Sequence, residues 1–395
     1  MTTKKPIRKS SSVITTSNTT LDIDYATTIN PNLLVKYLFD VKKHLIDRAI
    51  STVPPAQQST VAKQLPPFLG AVLIKWIFLQ NMKHTLSAEL VPMAEIVVAG
   101  DVDFFNKKFK TSIKVRDLQG FKFAPMNAPP QHNFSVSFAL IKDSHLGMIA
   151  ASNGVSYPLS GIQFARLKQI YGLDVSSANF LKNVFYLLSV YNTLGGLSNN
   201  ASFPLRLFSP PSKSSSSKLG TKPSKTQPQI TELFGSPLNT QYNYCSPFAF
   251  EKTLFSSLGS FFDYTMPSGT YVANPPFDEI IMKQMSARLV KELSDVKKSL
   301  VVIVVLPVWD KETQEKMGYA NFHMDFEAYT ILKNSSYCRA GLVLDRKQFM
   351  FYDFYQNKYI PYSNSHLLVL TTHAETTYDL DALAETWKEL VKKNN

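Results

Sequence analysis

The chain has 395 residues, 44% of them hydrophobic and 18% charged, enough apolar material for one large core or two ordinary ones. A net charge of +12 favours polyanionic partners, nucleic acid first and an anionic membrane surface second. Two cysteines, Cys245 and Cys338, exclude a disulfide framework, and the seven scattered histidines give no ligand spacing, so no metal is expected. The start, Met1 to Thr20, is polar and basic without an apolar h-region, and the most apolar runs, Phe68–Leu79 and Leu300–Pro307, are too short to span a bilayer. The expectation is a soluble intracellular protein in a reducing compartment, without a membrane partner.

Residues 1–28 are rich in Ser, Thr and Lys and read as a disordered basic tail. Lys4, Lys5, Arg8 and Lys9 fit either a weak nuclear-import cluster or simple solvation. From Asn32, Leu33, Leu34, Tyr37, Leu38, Val41, Leu45 and Ile46 recur at three- and four-residue steps, which predicts one apolar helical face. Val53-Pro54-Pro55 should end that helix, and Pro66-Pro67 should interrupt a second one before an apolar helix, Phe68–Met82. Residues 95–160 read as strands and turns, with Phe134, Val136, Phe138 and Leu140 alternating on one face and Asn153-Gly154 as a hairpin turn. Helices return at Phe164–Tyr171 and Ala178–Tyr191, making residues 29–190 a mostly helical domain with a small β element.

After Leu194-Gly195-Gly196 the texture changes. Ser209–Gln229 is packed with Ser, Pro and Lys, has no acid, and reads as a disordered insertion. Strand and helix then alternate: Ile230–Phe234, Thr270–Ala273, an amphipathic helix over Asp278–Lys297, and a buried strand, Leu300–Leu306. Strand-like sequence follows around Gly341–Phe354 and His366–Thr372. This alternation predicts an open α/β sheet over residues 191–375, followed by a C-terminal helix within 376–395.

Asn274-Pro275-Pro276-Phe277 is the most informative tetrapeptide. It lies between a predicted strand and a predicted helix, at the carboxyl end of the strand, where open α/β sheets hold ligands. An exocyclic adenine amine is a poor nucleophile because its lone pair is delocalised into the ring. An Asn amide oxygen and the following backbone carbonyl can accept its two N–H groups and stabilise positive charge developing on the nitrogen. The prolines hold that carbonyl rigidly, and Phe277 can stack on an extruded base. The plain alternative is a proline turn before a helix. The same tetrapeptide also suits methylation of a glutamine amide.

Ile230-Thr231-Glu232-Leu233-Phe234-Gly235-Ser236-Pro237-Leu238-Asn239, Tyr244-Cys245, Leu258-Gly259-Ser260, Ser268-Gly269-Thr270 and Asn274–Phe277 together resemble the catalytic region of the phosphorylated-CTD-interacting factor family, the cap-specific adenosine N6-methyltransferases of animals. The resemblance covers about residues 160–335. It implies a class I (Rossmann-like) methyltransferase sheet, S-adenosyl-L-methionine as cofactor, and RNA, capped mRNA in particular, as partner. It implies catalytic roles for Asn274, Pro275, Pro276 and Phe277. It also implies cofactor contacts from Asn199, Asn200, Ala201, Ser202, Phe203 and Pro204, from Ser236, Pro237, Leu238 and Asn239, and from Gly259, Ser260 and Phe261. Phe277 and Trp309 are candidate substrate contacts, Trp309 being equally suited to core packing.

The animal family also carries a WW module, which needs two Trp about twenty residues apart. Trp76, Trp309 and Trp387 are too dispersed, so polymerase-tail binding is not expected. A nuclear enzyme acting next to the cap is the leading expectation, with cytoplasm as the alternative location. Competing functions are adenine methylation in DNA or internal RNA, protein glutamine methylation, and non-catalytic RNA binding. His323, Asp325 and Glu327 resemble a catalytic cluster but read better as a partly exposed strand or turn. Lys297-Lys298 and Lys392-Lys393 read as solvated helix ends.

Overall fold

The computed structural model describes residues 31–82, 99–114, 135–141, 146–176, 178–195, 201–202, 230–240, 242–317, 326–353, 358–373 and 379–394. The tail and insertion expected at 1–28 and 209–229, together with Phe134, His323 and Asp325, lie outside the described residues.

The first part is helical. Helix α1 (Pro31–Thr52) buries Leu38, Val41, Leu45 and Ala49 along one stripe. Helix α2 (Pro55–Met82) corrects the expected break, because it runs unbroken through Pro66 and Pro67. Val61, Leu65, Leu69, Val72 and Trp76 form a single buried stripe on both sides of the prolines. The carbonyls that lose their donors belong to Ala62 and Lys63, on the exposed face where water can bond them. Packing therefore outweighs local propensity. By length and composition Pro55–Leu79 could cross a membrane, and half of it is buried inside the protein.

Helix α3 (Ala99–Phe109) is a second correction, since strands and turns were expected there. Val102 and Phe105 are buried three residues apart, and Asp101 in the first turn and Lys107 and Lys108 in the last complement the helix dipole. The small β element is an antiparallel sheet of β1 (Val136–Leu140), β2 (Leu146–Ala151) and β3 (Ser156–Ser160). Its second hairpin turns at Asn153-Gly154, with Gly154 at a φ of +88°, as the dipeptide predicts. Val136 and Phe138 are half-buried, but Leu140 at the strand end is exposed. Helices α4 (Gly161–Ile170) and α5 (Ala178–Gly195) complete this part. α5 packs on α1 and α2, and Gly70 permits the closest approach, since a Cβ there would lie 1.9 Å from the Leu194 carbonyl oxygen.

The second part is a mixed α/β layer around a mostly parallel six-stranded sheet. Its strands are β5 (Ile230–Glu232), β6 (Asn243–Tyr244), β7 (Gly269–Ala273), β8 (Leu300–Pro307), β9 (Cys338–Leu344) and β12 (Ser365–Thr371), in spatial order β6-β5-β7-β8-β12-β9. β6, β5, β7 and β8 pair in parallel, and β12 pairs antiparallel with β8 and β9. The buried strand β8 divides its side chains. Val302, Val304 and Leu306 meet α7 (Glu279–Leu293) and α9 (Glu327–Lys333), while Ile303 and Val305 join Trp387 of α10 (Leu380–Asn394) on the other face. The amphipathic helix expected over Asp278–Lys297 is thus shorter, with Asp278 as its N-cap, accepting from the Ile280 and Ile281 N–H groups.

Short strands β4 (Ala201–Ser202), β10 (Phe351–Asp353) and β11 (Lys358–Ile360) form a third sheet, so the single segment expected around Gly341–Phe354 supplies strands to two sheets. A short helix, α6 (Ala249–Leu254), follows β6, and another, α8 (Lys311–Lys316), follows β8. The helical core and the sheet are continuous, because Leu238, Phe248, Phe250, Leu254 and Phe255 pack into the cluster built by α1, α2 and α5.

Candidate functional site

The chain passes from β5 to β6 on one side, then returns across β5 to β7 on the other. That reversal opens a crevice beyond the carboxyl ends of β5 and β7, the place where such sheets bind ligands. A cavity of about 540 Å³ lies there. Its size is that of a site for a cofactor-sized molecule.

One wall comes from the sheet. After β5, Phe234, Gly235, Ser236 and Asn239 line the cavity. The loop is held by its own polar groups: the Asn239 Oδ1 accepts from the Ser236 N–H at 2.8 Å, and the Leu238 N–H donates to the Ser236 hydroxyl oxygen at 3.2 Å. Gly235 is required by crowding, since a Cβ there would come within 2.7 Å of Tyr244 Cβ. After β7, Asn274, Pro275, Pro276 and Phe277 all reach the cavity. The half-buried Asn274 carboxamide has no hydrogen-bond partner among the described residues. The amide is thus open to the cavity and available to a ligand there. Phe277 packs against Tyr362 at 5.4 Å and lies edge-on to Trp309 at 6.4 Å.

The opposite wall comes from the helical part. Phe68, Ile74, Lys75 and Phe78 of α2, Asp101 and Phe104 of α3, and Tyr191 of α5 face the sheet loops across the cavity. Lys75 Nζ donates to Asp101 Oδ1 at 2.5 Å. Burial raises the Asp278 carboxyl above its ordinary pKa, against the N–H bonds of Ile281 and Ile280 and the charge of Lys75. None of these helical-wall residues is a site candidate from the sequence. Gly235 lay within the quoted resemblance without a role.

Behind Tyr191 stands the fully buried Glu251. The Tyr191 hydroxyl donates to Glu251 Oε1 at 2.8 Å and shares a hydrogen bond with the Ser236 side chain. Burial pushes the Glu251 carboxyl up to about 8, and the hydroxyls of Ser246 and Tyr191 oppose the shift. Helix α4 braces the same loops: Gln163 Nε2 donates to the Leu238 carbonyl at 2.5 Å and Arg166 Nη2 to the Tyr242 carbonyl at 3.3 Å.

Other expected site residues are placed elsewhere. Pro237 and Leu238 belong to the loop but do not line the cavity, Leu238 being buried in the helical core. Gly259, Ser260 and Phe261 also lie off it. Gly259 has a φ of +88°, and its carbonyl accepts from the Ser246 N–H. Phe261 is buried 5.1 Å from the Phe234 ring, under the Arg288 guanidinium, and so supports the cavity wall from behind. Ala201 and Ser202 form β4 and pair with Asp353 and Tyr352. Asn199, Asn200, Phe203 and Pro204 lie outside the described residues. Trp309 is one ring removed from the cavity, packed 5.4 Å from Phe326. Glu327 starts α9 and pairs with Lys283. Lys298 pairs with Glu292 and Lys393 with Glu389. Among the described residues no group of three His, Cys, Asp or Glu could hold a metal ion.

A mostly parallel sheet with a cavity over its switch point, roofed by a helical region, defines a mixed α/β protein with a candidate ligand site. Residues 166–353, just under half of the chain, match the family model described as Phosphorylated CTD interacting factor 1 WW domain. The match runs from the second half of α4 through α5 and the strands from β4 to β10, and so leaves out β12 of the main sheet. Among curated proteins, the chain is 40% identical over 79 residues to the mRNA (2'-O-methyladenosine-N(6)-)-methyltransferase of Mus musculus and 38% identical over the same length to that of Homo sapiens. Each alignment covers 20% of this chain and 11% of the relative, so about a tenth of those proteins is represented.

Proposed function

We propose that this protein is an S-adenosylmethionine-dependent methyltransferase acting on the N6 amine of adenosine in RNA, next to the cap of mRNA. The observation that carries the reading is the uncommitted Asn274 carboxamide, held with Pro275 and Phe277 on a cavity shared with the Ser236–Asn239 loop. The order of the sheet, with the reversed strand β12 beside β8, supports a class I (Rossmann-like) methyltransferase. The relatives' printed activity and the basic charge support mRNA as substrate.

The cavity fits the cofactor in size, and Gly235 lets the loop that lines it pass close over Tyr244. Ser236, Asn239 and Phe234 would hold it. When bound, S-adenosylmethionine supplies an electrophilic methyl group. The Asn274 amide oxygen and the Pro275 carbonyl accept the two N–H bonds of the target amine and direct its lone pair toward the cavity. They also stabilise the charge that develops on nitrogen, with little reorganisation because the prolines fix the loop. Phe277 offers a face for the extruded base. The apolar side chains of the helical wall, Phe68 and the buried Phe78, reduce the access of water to the reacting groups. The protein acts in the nucleus, where capped transcripts arise.

The test is direct. Purified protein is incubated with labelled cofactor and, at fixed salt, with m7G-capped, unmethylated-capped and 5′-triphosphate RNAs of one sequence, with DNA, and with protein. Mass spectrometry then places the methyl group. Preference for the capped RNA and label on N6 of its first adenosine are expected. Equal specificity constants on the three RNAs would remove the cap from the reading, and label on glutamine or DNA would replace the substrate.

A further inference from the structure

We propose that Tyr191 and Glu251 read the amino-acid end of the cofactor, Tyr191 by touching it and Glu251 as a positioning residue that sets the direction of the hydrogen bonds facing the cavity. This rests on the methyltransferase reading and adds a proton requirement to cofactor binding.

The chain of contacts is ordered. The Ser236 hydroxyl oxygen accepts from the Leu238 N–H, which leaves its own proton for Tyr191 Oη. Tyr191 in turn donates to Glu251 Oε1. With Glu251 ionised, every proton in the row points away from the cavity and toward the carboxylate. Tyr191 and Ser236, which both line the cavity, then present lone pairs to it. With Glu251 protonated on Oε1 the row can reverse: the acid O–H donates to Tyr191 Oη, and Tyr191 and Ser236 offer O–H groups to the cavity.

The amino-acid end of S-adenosylmethionine carries a carboxylate and an α-ammonium, and the carboxylate is the group assigned here to Tyr191. A neutral Glu251 gives that carboxylate a donor and removes a like charge from behind Tyr191. An ionised Glu251, itself fully buried and so weakly screened, does the opposite. Burial favours the proton on Glu251 at neutral pH, its pKa standing near 8. The groups that face this carboxyl are Tyr191 from α5, Tyr244 at the end of β6 and the Ser246 hydroxyl, with Arg166 of α4 beyond Tyr244. The Tyr191 ring is fixed edge-on to Phe248 at 5.7 Å, so its hydroxyl is not free to turn elsewhere.

The experiment measures binding of S-adenosylmethionine and of 5′-methylthioadenosine, which lacks the amino-acid end, by calorimetry on the full chain between pH 6.5 and 9.5. Wild type is compared with Glu251→Gln, which is neutral throughout. The ligand's own α-amino group titrates near 8 but affects both proteins alike, so the ratio of their Kd values is the readout. For S-adenosylmethionine the wild-type Kd should match that of the variant at pH 6.5 and exceed it about tenfold one unit above the Glu251 transition. For 5′-methylthioadenosine the ratio should stay near one. Tyr191→Phe keeps the ring and removes the hydroxyl that transmits the proton. Its S-adenosylmethionine profile should be flatter than that of wild type, which carries the test if Glu251→Gln does not fold. Parallel profiles for wild type and variants, or the same divergence with both ligands, would overturn the assignment while leaving a cofactor site. Failure of wild type to bind either ligand would overturn the methyltransferase reading itself.

Discussion

The sheet wall and the helical wall of the cavity do comparable work by different means. On the sheet side, a few residues at strand ends carry polar chemistry: Ser236, Asn239 and Asn274, spaced by short loops. On the helical side, α2 brings Phe68, Ile74 and Phe78 as one flank of an otherwise buried helix, and polarity is confined to Lys75, Asp101 and Tyr191. The sheet wall identifies itself by residue type and the helical wall only by position. A site of this kind is half chemistry and half enclosure, and each half should fail in its own way.

The largest expected effect lies at the seam between the walls. Glu251 has its ordinary pKa of 4.5 in the unfolded chain and one of about 8 in the folded protein, so the folded state holds the extra proton between those limits. The associated stability is fully present below pH 4.5 and is lost as pH rises through 8. The loss is of the order of several kcal/mol. Urea unfolding at pH 5, 7 and 9 should show this decline in wild type and not in Glu251→Gln. Equal slopes in the two proteins would return the carboxyl to an ordinary value.

Next comes the chemistry of the sheet wall. Asn274→Ala should reduce methyl transfer by about 100-fold or more while leaving melting temperature and cofactor affinity in place. Single-turnover rates and calorimetry separate the two quantities, and a wild-type rate would end the catalytic assignment. The helical wall should respond in stability instead. Gly70→Ala puts a Cβ against the Leu194 carbonyl, where backbone rather than a side-chain tip must yield, and should cost about 1–3 kcal/mol in denaturant unfolding. An unaffected midpoint would show that α2 and α5 can separate freely. The smallest effect is expected at Trp309→Phe: under about 1.5 kcal/mol of stability and a few-fold in turnover, because Trp309 supports Phe277 from outside the cavity. A hundredfold loss of turnover would move Trp309 into the substrate contacts.

These contrasts also explain what could be read from the sequence. Asn274–Phe277 and Ser236–Asn239 are legible because their residue types answer a chemical need at the end of a strand. Strand β8 is legible because a strand buried on both faces leaves a continuous apolar run, Leu300–Leu306. Helix α2 was divided at Pro66-Pro67 because proline is a local signal, whereas the buried stripe that overrides it depends on α1 and α5. Helix α3 was missed because only Val102 and Phe105 mark its buried face, too few for a period to show. Lys75, Asp101 and Tyr191 could not be found at all. A lysine or tyrosine on a helix has no signature of facing a cavity until the opposite wall, more than a hundred residues away in sequence for Lys75, is in place.

That separation has a consequence for how the protein comes into being. During synthesis α2 leaves the ribosome long before β5 and β7 exist. Its flank of Phe68, Ile74, Ile77 and Phe78 then faces water or a provisional partner, since its own final neighbours include loops about two hundred residues downstream. Contacts of such long range are entropically expensive to close and form late. The helical region is thus an early-formed template with a sticky side, and completion of the cavity is one of the last events of folding. Folding intermediates should expose this apolar surface, bind hydrophobic dyes and attract chaperones until the sheet closes over it.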